Sequence, residues 1–184
     1  MTDDIDEQAR HEPEWVAWRS RVATQVDRLF TETLLRAVGE PTASGDIVAP
    51  MPDAGRYDDA MILYWITDVF EQFFSDDDSL YAAENADIAD QFVCYIGEYF
   101  VQHCGGEWAN DPTVGGPLYT FGPTIGYTWT DAVDYPMDLL FNAAEQQDFS
   151  VVTDEMYARG VDYAEAHGLP HEGLELRRTF GRNT

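Results

Sequence analysis

Residues 57–158 carry 20 acidic side chains and not one Arg or Lys. The 56 residues before this stretch hold 11 acids and 6 Arg, and the 26 after it hold 4 acids and 4 Arg, so the three parts contribute −5, −20 and 0 to a formal charge of −25. A chain so charged repels itself, and only salt screens the repulsion: the Debye length grows from about 10 Å at 0.1 M to about 30 Å at 0.01 M. Folding that depends on salt is the first expectation. All ten basic residues are Arg, and Lys is absent. This acid-rich, Lys-free pattern is of the halophile type, in which carboxylates hold water and cations and weakly hydrated Arg replaces Lys. It disfavours unaided binding to DNA, RNA or an anionic bilayer.

With 184 residues, 45% of them hydrophobic and 14% aromatic, the chain has the material for one globular domain with a substantial core. Its longest apolar run, Ala60 to Ile66, is far short of the about 20 residues of a membrane span. The acidic N-terminal sequence MTDDIDEQAR does not resemble a signal peptide, and a cytoplasmic location is expected. Cys94 and Cys104 fit a reducing compartment; on one helix they stand about 15 Å apart and cannot pair. Residues 1–12 are expected to fray, 13–168 to form a single α+β domain, and 169–184 to be a loose tail that includes Arg177 and Arg178.

Apolar residues Trp15, Trp18, Val22, Val26, Leu29, Phe30 and Leu34 recur at three- and four-residue spacing after Pro13, which predicts a long amphipathic helix ending near Gly39. A second, mostly buried helix is expected over residues 56–74, closed by the acidic run Asp76–Asp78. A third is expected over 84–103, with a polar stripe of Asp87, Gln91, Glu98 and Gln102 and Gly105 as its stop. After Gly106 the sequence turns aromatic and Thr-rich, a strand signal. The FGPT turn, Phe121 to Thr124, is expected to join Leu118–Phe121 and Ile125–Trp129 in an antiparallel hairpin. Helices over 136–146 and, behind a Thr153 cap, over 154–167 complete an α+β fold: a helical N-terminal half, a small antiparallel sheet after Gly106, and further C-terminal helices.

The segment CYIGEYFVQHCGGEW, Cys94 to Trp108, is the most distinctive. Gly97 in mid-helix costs about 1 kcal/mol relative to Ala and suggests a close approach by another backbone. Tyr95, Gly97, Glu98, Gly105, Gly106 and Trp108 form a YxGE…GGxW pattern that resembles a group of uncharacterised prokaryotic domains over about Asn85 to Phe149. The resemblance implies an α+β domain whose helix feeds a small antiparallel sheet; it implies no activity. Basic residues usually follow the GE of that pattern, whereas here the sequence reads YFVQHC.

Glu98 is the leading candidate for a functional side chain, and the competing readings make it part of a solvated stripe or a structural carboxylate bonding the GGEW backbone. Glu107 is the one acid nearby in sequence that could join it in general acid and base chemistry. Cys94, Glu98, His103, Cys104 and Glu107 include metal-ligating types, but their spacing contains no compact CxxC or HxxxH pair, so no metal and no cofactor is expected. His167 and His171 read as helix-end residues. The Asp76–Asp78 run lacks the alternating ligands of a calcium hand. Neither a nucleophile elbow nor a phosphate loop is present. The aromatics Tyr119, Phe121, Tyr127, Trp129 and Tyr135 read as core and cross-strand packing.

The expectation from sequence is a non-catalytic binding or accessory domain, inhibitor- or immunity-like, that recognises another protein. Its acid-only middle segment would steer a basic partner. The alternative is a small hydrolase using Glu98 and Glu107, or a weak metal site completed by His103.

Overall fold

The computed structural model describes residues 9–42, 44–114 and 116–174. Helix α1, Pro13–Arg28, opens with proline in its first turn, where no backbone N–H is needed. It buries Trp15, Trp18, Val22, Gln25 and Val26 on one face and runs on through a π-helical turn, Leu29–Thr33, and a 3₁₀ turn, Leu34–Ala37. Helix α2, Tyr64–Val69, is entered through a π-helical turn, Asp59–Leu63, and left through a 3₁₀ turn, Phe70–Gln72. The acidic run supplies a helix start: Asp76 caps the short α3, Asp77–Leu80, in a reciprocal capping box with Ser79.

Helix α4, Ala86–Cys104, is the axis of the molecule. It packs against α1, β1 and both C-terminal helices, which is why burial continues nearly all round its length from Ala89 to Phe100. The polar stripe expected on it is broken at Gln91, which is fully buried and whose Oε1 accepts the Thr33 hydroxyl at 2.6 Å. Gly105 ends the helix in the left-handed conformation, φ 64°, and its N–H reaches the Phe100 carbonyl. Both cysteines lie buried and free on this one helix.

Three strands follow: β1, Gly106–Asn110, β2, Pro123–Tyr127, and β3, Val133–Asp134, in antiparallel order β1-β2-β3. The pairing corrects the expected hairpin. β2 takes β1 as partner, with Trp108 opposite Ile125, and Leu118–Phe121 belongs to the connecting loop. Asn110 closes that loop, its Oδ1 accepting Gly122 N–H at 2.9 Å and its Nδ2 donating to the Ala9 carbonyl at 2.8 Å. Tyr119 and Phe121 had the composition of a strand, but their rings are taken up by Trp15 and Trp18 of α1.

Helix α5, Pro136–Gln146, falls where the sequence placed it. Helix α6, Ser150–His167, begins four residues earlier than expected; the Thr153 hydroxyl donates to the Ser150 carbonyl inside the first turn and caps nothing. The architecture is α+β, with helices on both sides of a small antiparallel sheet in chain order. Residues 1–8 and 175–184, with Arg177 and Arg178, lie outside the described residues.

Candidate functional site

The YxGE…GGxW residues assemble into a packing lock between α4 and β1. A Cβ on Gly97 would stand 2.0 Å from Cη2 of Trp108, so the glycine is required by an indole lying across the helix and not by another backbone, as the sequence had suggested. Trp108 donates its indole N–H to Glu98 Oε1 at 2.8 Å, and Gln102 donates to Oε2 at 3.1 Å. Trp18 meets the same indole edge-on at 4.9 Å, and the Arg19 guanidinium lies over it at 5.4 Å. Gly106 is equally constrained, because a Cβ there would sit 2.4 Å from Ile125 Cγ2. Tyr95 is buried against Tyr57 and Phe30 and donates its hydroxyl to the Arg56 carbonyl at 2.6 Å.

Glu98 is held by the Trp108 and Gln102 side chains, whereas the sequence reading had it bonding the GGEW backbone. Glu107 is exposed, and strand alternation points it to the face opposite Trp108 and therefore away from Glu98. The two carboxylates do not converge. His103 is exposed at the far end of α4, its ring stacked on Tyr99. Among the described residues no group of three or more His, Cys, Asp or Glu is arranged to hold a metal ion. Burial drives both thiols away from ionisation, Cys94 well up from its ordinary value and Cys104 up to about 12.

The residue that sequence reasoning missed is Asp90. It is 5% exposed, and its carboxylate takes four donors from two segments, three from α1 and one from the 111–122 loop. Trp18 Nε1 donates to Oδ1 at 2.7 Å and the Tyr119 hydroxyl to the same oxygen at 2.8 Å, while Arg21 Nη1 stands 2.7 Å from Oδ2 and Gln25 Nε2 also donates to Oδ2. Burial and the adjacent anion push the Tyr119 hydroxyl well above its ordinary pKa, so it stays a neutral donor. One turn earlier Asp87 forms a two-pronged pair with Arg28, both bonds 2.8 Å, and the guanidinium holds its carboxyl below the usual range. A cleft of about 580 Å³ opens over this network, walled by Glu14, Trp18, Arg21, Asp90 and Tyr119. With every Asp90 oxygen occupied by donors, the carboxylate is an anchor and not a free base. The signal available in sequence was an acid among the apolar residues of α4, level with Gln25 and Trp18 only once α1 is docked.

A second buried carboxylate repeats the arrangement. Asp134 receives Arg159 through Nε and Nη2, each at 2.8 Å, and the Tyr127 hydroxyl as well, which ties β3 and β2 to α6. Among the described residues, both buried acids of the cation-free segment are therefore neutralised by arginines that flank it in sequence, Arg21 before and Arg159 after. Arg19, Arg28 and Arg56 are likewise committed to Glu98, Asp87 and Asp27.

No helix of the described residues is long and apolar enough to cross a membrane. Compared with protein-family models, curated proteins and solved structures, the chain finds no match.

Proposed function

We propose that this chain is a non-catalytic accessory domain that binds another protein, and that the partner presents a basic surface. The observation that supports this reading is the disposition of its cations. Five arginines are spent on internal ion pairs, two of them on the buried Asp90 and Asp134, while exposed carboxylates of residues 57–158 such as Asp68, Asp78, Glu84, Asp131, Asp138 and Asp154 have no basic residue in their own segment. A surface of one sign raises encounter rates with the opposite sign and rejects like-charged competitors. In molar salt, where the Debye length is about 3 Å, only charges in direct contact keep their effect, so apolar contacts must supply much of the affinity.

The test is capture of the tagged chain from host lysate at native salt, beside an unrelated bait of the same charge density. One stoichiometric basic protein enriched over that control is the expected result. Equal recovery by the two baits would assign the acidity to solubility alone and overturn the reading.

A further inference from the structure

We infer that the partner docks on the outer face of α2, as an amphipathic segment that lays an apolar side against Met61 and Tyr64 and basic side chains against Asp46, Asp68 and Asp154. This rests on the protein-binding reading above and names the surface and the chemistry of what it takes.

Met61, on the π-helical turn that leads into α2, and Tyr64 and Asp68 on α2 recur at three- and four-residue spacing and share one exposed face. The opposite positions, Ile62, Trp65, Ile66 and Val69, are core. On the outer face Tyr64 is 71% exposed and Met61 48%, and across a groove Ile47 is 65% exposed. Scattered single apolar residues are ordinary on a protein surface, but three large ones on adjoining ridges of a strongly acidic chain are not.

Grooves run along both flanks of this ridge. One, of about 530 Å³, lies between α2 and residues 42–49 and is bordered by Asp46, Ile47, Trp65 and Asp68. The other, of about 240 Å³, lies between α2 and the first turns of α6 and is bordered by Tyr64, Asp154 and Tyr157. Thr67 belongs to both walls, so the two grooves form a saddle over one helix. No arginine lines either one, and among the described residues none is within ion-pairing distance of Asp46, Asp68 or Asp154.

Charge complementarity chooses the occupant. An acidic or neutral segment would bring its polar groups against unneutralised carboxylates, whereas arginine or lysine would pair with them across a contact too short for salt to screen fully. The apolar ridge sets the spacing: a helix seated beside Tyr64 presents apolar anchors every three or four residues and leaves its cations to the groove margins.

The experiment uses the full chain in molar KCl and a synthetic amphipathic peptide of about 15 residues, the length at which an isolated helix becomes tenable. Leucines line one side of the peptide, arginines the other, and a benzophenone sits among the leucines; a counterpart has glutamate in place of arginine. The expected result is saturable binding of the arginine peptide alone, with photo-crosslinks concentrated at Met61, Tyr64 and Tyr157. Tyr64→Ala should weaken binding about tenfold or more, the size of a central contact, and Val133→Ala, at the exposed position of β3, should leave it unchanged. Because Tyr64 is largely exposed, an unchanged Tm shows that the variant is folded. Crosslinks concentrated on another face would overturn this surface while leaving the basic-partner reading in place. Equal or absent binding of the two peptides would overturn both.

Discussion

Replacing Asp90 by Ala removes the acceptor that α1 and the 111–122 loop share on α4. Trp18, Gln25 and Tyr119 each lose the oxygen to which they donate, and Arg21 loses its anion. Breaking a buried charged pair from one side costs about 3–5 kcal/mol. Here the guanidinium side chain is 48% exposed and regains water, so the charge contribution falls well below that range. Trp18 and Tyr119 are left without their acceptor while Gln25 keeps only Asp87 Oδ1 at 3.3 Å, so at about 1.5 kcal/mol for each stranded donor the net loss is about 3 kcal/mol. In a domain of this size that lowers Tm by about 6–12 °C. The matched control is Asp87→Ala on the same helix, whose side chain is 52% exposed and whose loss should stay below about 1 kcal/mol. Thermal and urea unfolding followed by circular dichroism at one fixed KCl concentration measures both. An Asp90→Ala Tm indistinguishable from wild type, or an equal loss in Asp87→Ala, would refute the assignment of Asp90 as an anchor.

Gly97→Ala drives a methyl into the Trp108 indole and should cost about 1–3 kcal/mol, with part of the loss recovered by Trp108→Leu in a double-mutant cycle. Glu98→Gln keeps an oxygen for the Trp108 N–H and should change stability by less than about 1 kcal/mol, whereas Glu98→Ala strands that donor at a cost of about 1–2 kcal/mol in urea melts. For Cys104, whose folded pKa lies above the ordinary value, the thiol's contribution to stability is complete below about pH 9 and is lost as pH rises toward about 12; Cys104→Ala should flatten that alkaline limb of a Tm-against-pH series. Finally, Tm should climb steadily with KCl from dilute buffer to molar salt as the −25 charge is screened, and a flat series would contradict it.

The resting places of the helices were legible in sequence because helix formation leaves a periodic record within one segment. Trp15, Trp18, Val22 and Val26 announce the buried face of α1 without reference to any other part of the chain, and Pro136 and Gly105 mark a start and a stop by their own backbone chemistry. The need for Gly97 was visible too, but its reason was not, since the indole that lies over it comes from the following strand.

Strand pairing was less legible. Leu118–Phe121 and Gly106–Asn110 both have aromatic and polar residues suited to a half-buried surface, and composition cannot say whether such a surface is a sheet neighbour or a helix. Docking of Tyr119 and Phe121 on Trp18 settled it, and β2 paired with β1.

What the sequence by itself determined is the division of charge, the long helices α1, α4, α5 and α6 and the α+β order of the chain, but not the short α3 or the broken course of α2. Only the tertiary structure decided which acids are buried: Asp90 meets Trp18 across 72 residues and Tyr119 across 29, and Asp134 meets Arg159 across 25. Periodicity and capping are properties of neighbouring residues, whereas a carboxylate's hydrogen-bond partners are set by which distant segments the hydrophobic core brings together.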